Sequence, residues 1–120
     1  NNNLKDRVII NSSFVDSTQI RDYICASDLI ILPYLRASQS GIIPLAYLYN
    51  KPIIVSNVKG LKEIIQKDKT GEIFDKSSIN LSEVILKCLR KENYNNYTSN
   101  IKKMKSSYSW SEFIRRFKLN

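Results

Sequence analysis

Four short runs of β-branched and other apolar residues divide this chain, and between them the apolar residues recur at helical spacing. "RVIIN" (7–11), "DLIILP" (28–33), "KPIIVSN" (51–57) and "TGEIF" (70–74) read as strands. "DSTQIRDYICAS" (16–27), "SGIIPLAYLYN" (40–50), "GLKEIIQKD" (60–68) and "SSINLSEVILKCLRKE" (77–92) read as helices, with Asp16/Ser17 and Ser77/Ser78 as cap candidates. Near-continuous apolar strands, each followed by a helix, describe a parallel sheet covered on both faces, because an antiparallel sheet with one wet face would alternate. The expected fold is therefore α/β: a Rossmann-like parallel sheet of about four strands, helices on both faces, and a C-terminal helical segment. That segment begins with "KENYNNYTSNIKKMKSSY", which is polar and reads as partly frayed. It ends with "SWSEFIRRFKLN", where Ser109 is a cap candidate and Trp110, Phe113, Ile114 and Phe117 share a stripe.

At 120 residues, residues 1–120 form one domain with room for a single core. Hydrophobic residues make up 42% and charged residues 25%, enough apolar content to argue against disorder away from the ends. The polar opening "NNNLKDR" is unlike a secretory leader, and the apolar runs fall short of the roughly 18 residues of a membrane span. The expected location is cytoplasmic. Cys25 and Cys88 have no paired spacing, and the chain contains no histidine, so both are read as buried thiols and no metal site is expected.

The net charge of +8 is lopsided. From Leu86 onward nine Lys/Arg face only Glu92 and Glu112, giving +7. A basic third of this kind suits a solvated helical face, an anionic membrane surface, an acidic substrate or nucleic acid. Against nucleic acid, the expected strands carry no platform of aromatic and basic residues.

The most suggestive local pattern is Ser40-Gly41-Ile42-Ile43-Pro44, at the expected start of a helix that follows a strand. In open parallel sheets, ligands bind where strand carboxyl ends lead into helices. A helix start carries amide N–H groups that no carbonyl within the helix can reach, and its dipole favours an anion. Gly41 leaves room for a phosphate, and Pro44 fixes the first turn while lacking an N–H. Ser38, Gln39 and Ser40 add polar groups. The alternative reading is that Ser40 only caps the helix and Gly41 only permits close packing against a strand.

The order "VIINSSFVDSTQIRDYICASDLIILPY", "ASQSGIIPLAYLYNKPIIVSNVKGLKEII", "KTGEIFD" and "YSW" resembles the C-terminal half of retaining GT-B glycosyltransferases of the large nucleotide-sugar-dependent group 1 family, from about Val8 to Phe117. The resemblance implies a donor-binding domain that takes a nucleotide-diphosphate sugar. It places the diphosphate and sugar at Ser38, Gln39, Ser40, Gly41 and Ile42 with Arg36, and the nucleobase at Ser13, Phe14, Val15, Pro33 and Tyr34. It also implies transfer to a glycan or lipid-linked acceptor in surface polysaccharide biosynthesis, with no bound metal or other cofactor.

Two departures accompany the resemblance. The family's paired glutamates around this helix start fall on Ala37 and Leu45, and the N-terminal acceptor domain has no counterpart here. The expectation is a fragment with little transferase activity alone, because one domain cannot close a cleft over two substrates. An inert nucleotide-binding or interaction module of the same fold is the competing reading. Glu63 is read as a salt-bridge or surface residue, and Tyr47 and Tyr49 as core or interdomain contacts.

Overall fold

The computed structural model describes residues 3–36, 40–75, 77–107, 109, 111, 112 and 115. Strands β1 (Ile30–Leu32), β2 (Ile53–Ser56) and β3 (Gly71–Phe74) form a parallel sheet in the order β1-β2-β3, with Ile31 beside Ile54 and Ile54 beside Glu72. The α/β class and the parallel sheet are as the sequence indicates, but the strand count is three among the described residues. The expected first strand is the correction. Val8, Ile9 and Ile10 form no ladder, and Ile9 and Ile10 are 92% and 86% exposed. A β-branched run becomes a strand only when a neighbour takes its main-chain hydrogen bonds and a layer covers one face.

Helix α1 (Ser17–Ala26) precedes β1, α2 (Ile42–Leu48) joins β1 to β2, and α3 (Lys59–Asp68) joins β2 to β3. A capping box starts α1: the Gln19 N–H donates to Asp16 Oδ1 at 2.9 Å, and the Asp16 N–H donates to Gln19 Oε1 at 3.1 Å. Because the strands follow one another across the sheet and parallel crossovers are right-handed, α2 and α3 must share a face. They do: Ile43, Ala46, Tyr47, Leu61 and Ile65 pack with Ile53 and Val55 in one cluster. Ile54 points the other way, joining Phe74, Val84 and Cys88 beneath α4 (Ser78–Leu89). Ser77 caps α4, its Oγ accepting the Asn80 N–H at 3.1 Å.

The polar stretch after Lys91 departs from the expected frayed segment. It is a continuous helix, α5 (Lys91–Ser106), burying Tyr97, Ile101 and Met104. Three apolar or aromatic anchors on one stripe suffice to dock it, since helical stability in proteins comes mainly from packing. The Tyr94 hydroxyl donates to the Asp28 carbonyl at 2.6 Å, just before β1. Asn100 Nδ2 donates to the Lys69 carbonyl at 2.8 Å, just before β3, and Lys105 Nζ to the Leu48 carbonyl at 3.0 Å, at the end of α2. Thus α5 spans the amino ends of the strands, leaving the carboxyl ends as the opposite rim.

Cys88 is buried as expected, whereas Cys25 is exposed, its helical spacing having placed it on the outer side of α1. Tyr47 is a core residue as read, fully buried, donating to Asp68 Oδ2 at 2.9 Å and standing 2.6 Å from Thr70 Oγ1. Glu63 is exposed. Around Ser109 a reciprocal pair forms, with Glu112 N–H donating to Ser109 Oγ at 3.2 Å and Ser109 N–H to Glu112 Oε2 at 3.0 Å. The stripe of Trp110, Phe113, Ile114 and Phe117 lies outside the described residues.

Candidate functional site

Three loops leave the carboxyl rim: residues 33–36 with 40–41 after β1, Asn57–Val58 after β2, and Asp75 after β3. Parallel strands run in register, so their ends bring these loops side by side although they are far apart in sequence. Pro33, Tyr34 and Arg36 are on the first loop and exposed, with Arg36 offering a cation there. Exposed Lys59, at the start of α3, offers another beyond the second loop.

Gly41 is the N-cap of α2 and is exposed, with φ −67° and ψ −14°. Its backbone is ordinary right-handed helix, so conformational freedom is not why glycine stands here. A Cβ at Gly41 would meet nothing within 4 Å, so close packing against a strand is not the reason either. Ser40 Oγ accepts the Ile42 N–H at 3.2 Å, so this amide of the expected diphosphate cradle already has a protein partner. The Gly41 and Ile43 amides remain beyond the reach of carbonyls within α2, as at any helix start. Ser38 and Gln39, with Ala37, lie outside the described residues.

The segment assigned to the nucleobase precedes α1. The Ser13 N–H donates to Asn11 Oδ1 at 3.0 Å, a local turn, and Asn11 Nδ2 donates to the Tyr23 hydroxyl at 3.2 Å. Phe14 is 90% exposed and Val15 half-buried. Tyr23, Gln19 and Asp22 line an open depression of about 280 Å³ on α1.

Sequence reasoning passed over the end of β2. Ser56 is 1% exposed, one of two buried polar residues, with Thr70, among the described residues, and its Oγ donates to the Tyr34 carbonyl at 2.5 Å. Asn57 follows on the rim: its N–H donates to the Phe74 carbonyl at 3.0 Å and its Nδ2 to Asp75 Oδ1 at 3.4 Å. Asp75 N–H in turn donates to Asn80 Oδ1 at 2.6 Å. The signal was available, since "KPIIVSN" ends in two polar residues at a strand's carboxyl end. Among the described residues, no three His, Cys, Asp or Glu side chains are grouped as a metal site would require.

Most of the added positive charge lies elsewhere. Lys91, Lys102 and Lys103 are exposed on α5, at the amino-end rim, away from these loops. Lys105 reaches the Leu48 carbonyl, and burial together with neighbouring Lys102 lowers its pKa. The hydroxyls of Tyr94 and Tyr97 are bonded to Asp28 and Glu72, so α5 offers no stacking platform from these rings.

A parallel α/β sheet with helices on both faces and its loops gathered at the carboxyl rim defines the Rossmann-like class of ligand-binding domains. A family model described as "Glycosyl transferases group 1" matches residues 1–91, so the chain belongs to the group 1 glycosyltransferases. No curated protein and no solved structure gives a significant match. No helix among the described residues is long and apolar enough to cross a membrane.

Proposed function

We propose that this chain is the donor-binding part of a glycosyltransferase, holding a nucleotide-diphosphate sugar at the carboxyl rim for transfer to a glycan or lipid-linked acceptor in surface polysaccharide biosynthesis. The observation that carries the reading is Gly41: an exposed glycine at a helix start, beside Arg36's loop, with neither a backbone nor a packing need for glycine, in a chain of this family. The diphosphate rests against the start of α2, with Ser40, Gly41 and Ile42 beneath it and Arg36 offsetting charge, and Ser38 and Gln39 are further proposed contacts. The nucleobase lies between 13–15 and 33–34.

In glycosyl transfer the sugar–phosphate bond breaks and negative charge grows on the departing diphosphate. Amide donors, a helix dipole and a guanidinium aimed at that charge assist departure without a general base, consistent with a chain that has no histidine. The acceptor site belongs to a separate domain, so the donor half alone transfers slowly or not at all. The reaction is cytoplasmic. The exposed lysines of α5, on the far rim from the donor, are free to rest on an anionic membrane bearing the acceptor.

Calorimetry with uridine and guanosine diphosphates and their sugars tests the reading: binding is expected for at least one, and Gly41→Val should abolish it. The structure leaves room for the valine, so the variant should keep the native circular dichroism. Retained affinity in the variant would move the diphosphate elsewhere. One observation favours the inert-module reading: Ala37 and Leu45 stand where the family's glutamates fall, and Leu45 is half-buried within α2. Donor binding without any donor hydrolysis, even with an acceptor domain supplied, would select it.

A further inference from the structure

We infer that Ser56 is a positioning residue for the ligand loop, holding the main chain of Pro33–Arg36 at the carboxyl rim through its hydrogen bond to the Tyr34 carbonyl. This rests on the donor-binding reading above. Ser56 does not touch the ligand, because only 1% of it is exposed. Its hydroxyl crosses from the end of β2 to the loop that leaves β1, reaching the Tyr34 carbonyl at 2.5 Å, with the Leu32 carbonyl at 3.5 Å. The same residue is fixed on its other sides. Its backbone pairs with Phe74 of β3, and its carbonyl accepts the Val58 N–H at 2.7 Å, directly ahead of α3.

One small residue therefore joins three rim segments: the loop after β1 by its side chain, β3 by the ladder, and the entrance to α3 by its carbonyl. The loop it holds needs such an anchor. The ladder between β1 and β2 ends at Leu32–Val55, and Pro33 contributes no N–H. Tyr34 and Leu35 are 36% and 77% exposed, so little packing fixes the loop. A hydroxyl buried at the edge of this loop, donating to its main chain, holds the carbonyls and amides that follow in one arrangement. Binding contacts made by a loop are only as well placed as the groups that support it.

Ser56→Ala removes the donor and leaves the Tyr34 carbonyl without it; Ser56→Thr keeps a hydroxyl at the position. Backbone 15N relaxation on the unliganded 120-residue chain reads the anchor directly. The order parameters of Leu35 and Arg36 should fall from about 0.85 toward about 0.6 in Ser56→Ala, with those of β3 unchanged and the parent values restored in Ser56→Thr. Calorimetry with uridine and guanosine diphosphates, well below the melting temperature, reads the consequence. The Kd should rise by about tenfold in the alanine variant and return toward the parent value with threonine. A residue that merely fills the core would lower the melting temperature and leave both readings alone, and that result overturns the inference. If the parent chain binds neither diphosphate, the donor reading falls and takes the ligand-positioning role with it, while unchanged loop order parameters in Ser56→Ala reject the anchor on its own.

Discussion

Gly71 of β3 lies directly opposite Ile53 of β2, so close that a Cβ on Gly71 would stand 1.6 Å from the Ile53 carbonyl oxygen. The neighbour is main chain in the central strand and cannot turn aside as a side chain could. Space, and not dihedral freedom, requires glycine here.

Gly71→Ala should accordingly separate β2 from β3 at its first rung. Overpacking of a close-packed interior costs about 1–3 kcal/mol, and this contact belongs at the upper end. Urea denaturation followed by circular dichroism should show the unfolding free energy fall by that amount. A parent-like midpoint would mean that the strands part without cost.

At Lys69 the requirement is reversed. This C-cap residue of α3 sits at φ 55° and ψ 49°, in the left-handed region, where a side chain is disfavoured by about 1 kcal/mol or more. Its N–H donates to the Ile65 carbonyl at 2.8 Å and its carbonyl accepts from Asn100, both main-chain roles that glycine preserves. Lys69→Gly should raise stability by up to about 1 kcal/mol, with part of the gain lost to glycine's freedom in the unfolded chain. A lowered denaturation midpoint would contradict it.

Glu72 joins β3 to two helices. Lys87 of α4 donates to its Oε1 at 3.0 Å, and the Tyr97 hydroxyl of α5 donates to Oε2. The lysine is half exposed, so its ion pair contributes little. The tyrosine bond is the stronger tie because the ring is buried. Tyr97→Phe should lower stability by about 1–2 kcal/mol, and Lys87→Met by less than about 0.5 kcal/mol. Equal losses in the two variants would refute this ranking.

Burial, with Glu72 nearby and only partly offset by Lys87, pushes the Cys88 thiol up to about 12 from 9.0. Burial also holds the Tyr97 phenol above its ordinary value of 10.0, reinforced by its bond to Glu72 and that carboxylate's charge. In the unfolded chain both groups lose their protons at lower pH than in the folded one. Between pH 9 and 12 the unfolded state therefore binds fewer protons, and stability falls as pH rises. The denaturation midpoint should be level up to about pH 8.5 and decline above pH 9, less steeply in Cys88→Ala. At pH 8 a thiol reagent should modify exposed Cys25 rapidly and Cys88 only on unfolding. Fast reaction of two thiols in the folded chain would count against the buried assignment.

The local grammar of the chain was legible in its residues. Strand-forming runs at 28–33, 51–57 and 70–74, the Asp16 and Ser77 caps, and the helices between them depend on neighbours a few positions away, which sequence displays directly. The family pattern around Ser40 and Gly41 was legible for the same reason.

What sequence could not settle depended on partners distant in the chain. "RVIIN" has the composition of a strand, but pairing is a property of two segments, and Val8–Ile10 have none among the described residues. "KENYNNYTSNIKKMK" looks polar enough to fray, yet it docks because Ile101 and Met104 join the buried residues of α2 and α3, and the Asp28, Lys69 and Leu48 carbonyls accept from its side chains. Ser56 reads as an ordinary strand-end serine until β1 and β2 lie side by side and its hydroxyl meets Tyr34, 22 positions earlier. Sequence alone determined which segments coil and which extend, through short-range sterics and hydrogen bonding; tertiary structure alone decided which of them meet, because burial and pairing are gained only when remote segments share one core.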